Sequence, residues 1–275
     1  MPGKTILFTS GKGGVGKTTS TANIGVALAS QDPNINVCMI DMDIGLRNLD
    51  IQLGLENRIV YNIVDVVEGA CKARQALVKD KRLPNLALLP AAQTRDKSAV
   101  SPEQMITLIA ELREMFDLIL IDSPAGIEQG FYNSVAAADE AIIVSTPEMS
   151  AVRDADRVIG LLEAQNRKIN CWLVINRLRP AMVQSNDMMG VDDVVEILNI
   201  KLLGVIPEDE RIIVSTNKGE PLALAKSNKG NGAGQAYQNI ALRLTGVEVP
   251  LMVFGENENI FVKQFNKLKA LIKFS

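Results

Sequence analysis

Short, nearly continuous apolar runs alternate along the chain with longer stretches in which apolar positions recur every third or fourth residue. The runs at 5–9, 36–40, 86–89, 117–122, 141–145, 171–175 and 202–206 are too short for helices and lack the polar alternation of half-exposed strands. They read as strands buried on both faces. Between them lie helical patterns: 22–28, a segment bearing Met105, Ile106, Leu108, Ile109 and Leu112, another bearing Val152, Ile159, Leu161 and Leu162, and 235–244. Ser101-Pro102-Glu103-Gln104 predicts one start, with serine as N-cap, proline at the first helical position and Gln104 closing a capping box. Ile212, Ile213 and Val214 begin a short helix that ends near Gly219, and 226–234 is a polar, glycine-rich loop. Strand and helix in alternation predict an α/β layer fold with a mostly parallel sheet flanked by helices.

Composition narrows this picture. At 275 residues and 47% hydrophobic, the chain can bury one substantial core, and a single domain is the natural reading. Aromatic residues are scarce, which suits parallel strands built from Val, Ile and Leu. A net charge of −3 argues against a chain-wide nucleic-acid surface. Histidine is absent, so no His-based triad or His-ligated zinc site exists. Cys38, Cys71 and Cys171 lie far apart, two of them in predicted strands, and are expected to be small buried hydrophobes in a reducing compartment. With the first strand beginning by residue 4, no signal or transit segment is expected.

The strongest chemical signal follows the first strand: Gly11, Lys12, Gly13, Gly14, Val15, Gly16, Lys17, Thr18 and Thr19, then a helix. This is the strand–turn–helix context in which G-x-x-x-x-G-K-[ST] means a phosphate cradle. Glycines let successive backbone N–H groups converge on phosphate oxygens, and the new helix turns its positive end toward them. Lys17 would neutralise β/γ-phosphate charge and the Thr18 hydroxyl would ligate Mg²⁺.

Acids at strand ends complete the pattern. Asp41 and Asp43 follow the second strand, at the sheet edge where such folds bind ligands, and are candidates to organise Mg²⁺ and an attacking water. Asp122 ends a fully apolar strand in the Walker B manner and is a second metal candidate. The run Asn176-Arg177-Leu178-Arg179 addresses the base. A guanine reader carries N-K-x-D there, its aspartate pairing the guanine amine; Arg179 replaces that acid, which favours ATP.

Near the C-terminus, helical projection puts Phe261, Phe265, Leu268 and Ile272 in one stripe, with Lys263, Lys267, Lys269 and Lys273 around it and no acid among them. Such a helix either packs back as a last core element or lies in a membrane interface. An acidic, glycine-containing spacer at 255–259 separates it from the preceding pattern, and the second reading is favoured once the family resemblance given below is added. One such tail is marginal for membrane binding. Two on a dimer gain roughly 10²–10⁴ in avidity. The expected division is an ATPase domain at 1–250, a linker at 251–259 and an amphipathic membrane-targeting helix at 260–275.

The octet K-G-G-V-G-K-T-T resembles the deviant Walker A of the MinD/ParA ATPases, in which the first lysine, here Lys12, reaches across a dimer interface to the partner's nucleotide. Further blocks narrow the resemblance: D-x-D-I-G-L-R-N-L-D, V-Y-N-I-V-D-V-V-E-G, Q-A-L-V-K-D-K-R, L-P-A-A-Q-T-R-D-K, Asp122-Ser123-Pro124-Ala125-Gly126, Val152-Arg153-Asp154-Ala155-Asp156-Arg157 and Gly204-Val205-Ile206-Pro207-Glu208-Asp209. Together they are similar to the MinD family of division-site placement ATPases, bacterial and plastid, over nearly the whole chain. The resemblance implies a P-loop NTPase that dimerises on ATP, with Lys12, Lys17 and Asp43 catalytic, Thr18, Asp41 and Asp122 at the metal, and Asn176 and Pro207 at the adenine. It implies a cytoplasmic or stromal protein held peripherally on an anionic membrane surface. Its partners would be a division inhibitor and an activator of hydrolysis, with Arg47, Asn48, Asp154 and Asp156 as surface candidates for contact. The alternatives are a ParA-like DNA-segregation ATPase, which a salt-sensitive DNA-binding assay would reveal, and a nucleotide-bound membrane scaffold that does not hydrolyse.

Overall fold

The computed structural model describes residues 3–96, 99–165, 167–225 and 232–254. In chain order the elements are β1 (Lys4–Thr9), α1 (Lys17–Gln31), β2 (Val37–Asp41), α2 (Leu49–Leu53), α3 (Ile63–Val67), α4 (Ala73–Ala76), β3 (Val78–Lys79), β4 (Leu86–Leu89), α5 (Pro102–Arg113) and β5 (Leu118–Asp122). They continue with α6 (Gln129–Val135), β6 (Glu140–Ser145), α7 (Met149–Glu163), β7 (Asn170–Leu178), α8 (Pro180–Gln184), α9 (Val191–Leu198), β8 (Lys201–Pro207), α10 (Arg211–Asn217) and α11 (Ala233–Leu244). The strands form one sheet in the order β3-β4-β2-β5-β1-β6-β7-β8. Every pairing is parallel except the short β3–β4 edge.

The period of two along each strand divides the core between the two faces. Ile6 and Phe8 of β1 face a cluster built with Ile24 and Leu28 of α1 and Tyr237 and Ile240 of α11. Leu7, between them, faces Met105 and Leu112 of α5, Phe131 of α6 and Val158 of α7. Ile119 and Ile121 against Leu118 and Leu120 repeat the division in β5. Strands buried on both sides need apolar residues throughout, which explains the unbroken runs in the sequence.

The predicted capping box is formed: Ser101 Oγ accepts from Gln104 N, and Gln104 Oε1 accepts from Ser101 N. Two expectations need correction, and one strand had no expectation. Strand β7 does not end at Ile175 but continues to Leu178, through a register irregularity that leaves Arg177 at φ 56°. Of the cysteines only Cys38 is buried; Cys71 and Cys171 are half-buried, and all three are free thiols. The antiparallel edge strand β3, two residues long, is too short to leave a pattern and was not anticipated.

Parallel strands place all their C-terminal ends on one edge. Strand β1 lies at the centre, with β5 on one side and β6 on the other, so the loop after it sits at the middle of that edge. Helix α11 runs back to the opposite edge. There the Arg243 guanidinium donates to the carbonyls of Leu203 (2.8 Å), Val249 (3.0 Å) and Pro250 (2.6 Å). Residues 251–254 follow, half-buried: Met252 packs on the α1/α11 core and Phe254 on the opposite one.

Candidate functional site

The loop from Ser10 to Gly16 joins β1 to α1 under two backbone constraints. Gly14 and Gly16 take φ of 80° and 91°, a region that side chains disfavour. A Cβ on Gly16 would also stand 2.2 Å from Asn176 Nδ2, and one on Gly11 would stand 2.1 Å from the Asp154 carbonyl oxygen. The loop thus nests between the end of β7 and helix α7, and only glycine fits at either contact. Helix α1 starts at Lys17 with no side-chain cap and no acid in its first turn. Its first N–H groups and positive dipole end are not used by the protein's own side chains, the standard arrangement for an anion.

Beneath the loop is a buried polar cluster. Lys17 Nζ lies 2.8 Å from Asp122 Oδ1, with side chains 7% and 0% exposed. Thr21 Oγ1, one helical turn after Lys17, donates to the same oxygen at 3.2 Å. Asp122 Oδ2 is buried without a protein partner. Asp41 pairs in register with Asp122 across β2 and β5. Both its oxygens accept backbone amides, from Asp43 at 2.9 Å and Leu49 at 3.1 Å, so it shapes the 41–49 loop. Burial, then the neighbouring Asp122 charge, push the Asp41 carboxyl up to about 7 against those two amides.

The residues expected at the base, Asn176 and Pro207, stand at the ends of β7 and β8. Asn176 Nδ2 donates to the Val15 carbonyl at 2.8 Å, while Oδ1 is buried without a partner. Pro207 is buried at the end of β8. Arg179, the residue that replaces a guanine-reading acid, pairs with Glu208 through Nε and, at 2.8 Å, through Nη2. Those hydrogen bonds hold the Glu208 carboxyl below its usual range. The pair borders a cleft of about 710 Å³ lined also by Met149, Arg177, Met182 and Met188.

The remaining predicted residues are placed as follows. Thr18 and Thr19 are half-buried in the first turn of α1, and Gly13 is exposed in the loop. Lys12 is 44% exposed, its Nζ 3.1 Å from Ser150 Oγ and 3.8 Å from Glu148 Oε2, both at the start of α7. Asp154 lies under the loop and Asp156 is exposed on the same helix. Asn48 is exposed, but Arg47 is turned inward, its Nε 2.7 Å from the fully buried Asp50. Asp43 is half-buried just beyond β2. Phe261, Lys263, Phe265, Lys267, Leu268 and Ile272 lie outside the described residues. The sequence reading did not find Thr21, although its place four residues after Lys17 on one helical face was a usable signal. Nor did it find Ser150 and Glu148, whose contact with Lys12 depends on how α7 meets the loop.

The donor set suits a magnesium nucleotide. A buried carboxylate oxygen and a buried amide oxygen, both unpartnered, ask for a cation or N–H donors at the phosphate and base ends respectively. Among the described residues no group of three His, Cys, Asp or Glu converges as a metal cage. Mg²⁺ is bound through one or two protein ligands together with substrate phosphates, and Thr18 and Asp122 are the residues placed to hold it.

Fold and site together define a P-loop nucleotide-binding domain, and the profile of the CobQ/CobB/MinD/ParA nucleotide binding domain matches residues 6–222. Within that class the chain belongs to the MinD family of septum site-determining proteins. It is 56% identical over 263 residues to the septum site-determining protein MinD of Synechocystis sp., covering 95% of this chain and 97% of that one. Among solved structures it is similar to the MinC:MinD cell division protein complex of Aquifex aeolicus, with TM-score 0.83 and 47% identity over 92% of this chain and 100% of that one. It is also similar to MinD complexed with Mg-ADP from Pyrococcus horikoshii OT3, with TM-score 0.77 and 30% identity over 88% of this chain and 95% of that one.

Proposed function

We propose that the protein is a Mg²⁺-dependent ATPase that dimerises on ATP and, as a dimer, holds a division inhibitor on a membrane surface. The observation that carries this reading is the loop between β1 and α1: an uncapped helix start behind two left-handed glycines, with a buried ion pair directly beneath it.

The triphosphate lies along residues 11–19, its base against Asn176 and Pro207. Asn176 Oδ1 accepts from the exocyclic amine of adenine. Lys17 leaves Asp122 for the β/γ-phosphates. Such a move would strand a buried carboxylate, so it is favourable only when a cation takes the lysine's place. The Thr18 hydroxyl and Asp122 would hold Mg²⁺, which when bound would supply that charge and polarise the phosphates. Asp41 keeps the 41–49 loop in shape, and Asp43, at its start, positions the attacking water. Among the described residues no general base is evident beyond Asp43, so unaided hydrolysis is slow and depends on an activator, as in other NTPase switches.

Lys12 is held only by exposed contacts, which water replaces at little cost. It swings from Ser150 to the nucleotide of a second copy and makes pairing conditional on the triphosphate. The ATPase domain occupies 1–250, followed by a linker at 251–259 and an amphipathic helix at 260–275. The helix grips anionic lipid through Phe261, Phe265, Leu268 and Ile272, with Lys263 and Lys267 beside the headgroups. Asn48, Asp154 and Asp156, with Arg47 behind them, face the inhibitor and the activator. The Aquifex aeolicus complex pairs MinD with MinC, which supports an inhibitor of that kind here.

Co-sedimentation with anionic vesicles, with ATP and with ADP, tests the scheme on the intact chain and on a truncation after Gly255. The expected result is ATP-dependent recruitment that truncation abolishes. Equal recruitment by the two nucleotides would refute the switch, and an unaffected truncation would refute the membrane helix.

A further inference from the structure

The segment Val78-Lys79-Asp80-Lys81-Arg82 stands out in the sequence, yet it touches neither the phosphate loop nor the base end. It builds a clamp. Asp80 is buried, and its carboxylate receives Arg82 Nε (3.1 Å), Arg82 Nη2 (2.7 Å) and the backbone amides of Arg82 (2.6 Å) and Leu83 (3.2 Å). The guanidinium so fixed spends its outer N–H groups on two carbonyls from distant elements. Nη2 donates to Leu53, the last residue of α2, at 2.8 Å, and Nη1 donates to Gly219, just past α10, at 3.0 Å.

At that point the two helix ends meet backbone to backbone. Gly54 and Gly219 both take positive φ, 65° and 62°. A Cβ on Gly219 would stand 2.5 Å from the Gly54 Cα, and one on Gly54 would stand 2.9 Å from the Gly219 carbonyl oxygen. Neither can carry a side chain. A third link lies one turn back. Gln52 Oε1 accepts from Thr216 Oγ1 of α10 at 3.0 Å, and Gln52 Nε2 reaches Thr19 Oγ1 in the first turn of α1 at 3.3 Å.

Helix α2 follows the loop that carries Asp41 and Asp43, and α10 follows the end of β8 at Pro207. The two elements therefore continue from opposite ends of the candidate nucleotide site. We propose that Arg82 and Gln52 are positioning residues for nucleotide binding: Arg82 locks α2 to α10 as one body, and Gln52 seats that body on Thr19. Neither touches the nucleotide. They hold the first turn of α1 and the base-end segment at one spacing, so that a nucleoside triphosphate meets both ends without reorganising them. A flat guanidinium can span two carbonyls while it pairs with a carboxylate; a lysine ammonium at the same place cannot do both. The inference rests on the reading of residues 11–19 as the phosphate site.

The test measures binding of fluorescent mant-ATP and mant-ADP to the full chain, for wild type, Gln52→Leu, Arg82→Lys and the double variant, with Lys17→Ala as reference. Urea unfolding runs in parallel. Gln52→Leu keeps the side chain's bulk, and its unfolding midpoint is expected near that of wild type. Each single variant is expected to weaken both nucleotides about tenfold, the worth of one or two well-placed hydrogen bonds. Because both act through one body, the double variant is expected to be no weaker than the worse single one. Wild-type affinity in Gln52→Leu overturns the proposal, as do losses that simply add. Should wild type and Lys17→Ala bind alike, the phosphate-site reading itself fails, which is a different result from tight wild-type binding that Gln52→Leu leaves intact.

Discussion

Lys17 Nζ and Asp122 Oδ1 stand 2.8 Å apart in a cluster closed to solvent, so the lysine of the phosphate loop and the acid of the neighbouring strand neutralise each other. Both charges need this partner in the protein alone, since removing one member of a buried pair leaves the other uncompensated. Lys17→Met is expected to lower stability by about 3–5 kcal/mol in urea unfolding and to abolish nucleotide binding. Asp122→Leu leaves the buried Lys17 ammonium uncompensated in its turn and is expected to cost a comparable amount. Strict additivity in the double variant Lys17→Met/Asp122→Leu would mean that the two side chains do not stabilise each other.

Asp41 makes stability depend on pH in an unusual direction for an acid. Its carboxyl ionises at 3.8 in the unfolded chain and holds its proton to about 7 when folded, because of burial and then Asp122. Between those values the folded chain binds the extra proton, so this group's contribution falls as pH rises through the window and is constant above it. Urea unfolding at about pH 5 and about pH 8 is expected to show Asp41→Asn gaining on wild type at the higher pH. A stability difference between the two proteins that does not change with pH would contradict the assignment.

Gly16 answers to two constraints that can be separated. An alanine there takes a left-handed conformation at a cost of roughly 1–2 kcal/mol. It also drives into Asn176 Nδ2, which is itself committed to the Val15 carbonyl. Gly16→Ala is expected to destabilise the protein by more than the backbone cost. In an Asn176→Ala background only the backbone part should remain. A double-mutant cycle in urea measures the difference, and strict additivity would show that the contact relaxes freely.

Arg243 holds the segment that leads to the C-terminal region. Arg243→Leu removes the donor from three carbonyls at once and is expected to loosen residues 249–254 from both cores. Limited proteolysis followed by mass spectrometry should show faster cleavage within that segment while the rest of the domain resists. Arg243→Lys, which keeps one donor group, is expected to fall between. Unchanged cleavage in Arg243→Leu would mean that packing of Met252 and Phe254 suffices alone.

Much of this protein follows from its sequence. The unbroken apolar runs can only be strands covered on both sides, and alternation with helices makes the sheet parallel, so the layer architecture is a local consequence of pattern. The cradle at 11–19 is equally local, since its glycines, Lys17 and the following helix are contiguous and act through the backbone they share. The Ser101–Gln104 cap is legible for the same reason. What the tertiary structure decided is everything that requires two distant segments to meet. Lys17 could be placed in a phosphate loop by motif, but not on Asp122, because β1 and β5 become neighbours only through the order of the sheet. Arg47 reads as a surface residue until Asp50 is seen to be buried beneath it. The roles of Asp80, Arg82 and Gln52 have no local signature, since a guanidinium that joins Leu53 to Gly219 is defined by the approach of two glycines far apart in the chain. Short-range pattern is set by backbone geometry and side-chain type, while a hydrogen bond across the fold exists only once packing has chosen which ends come together.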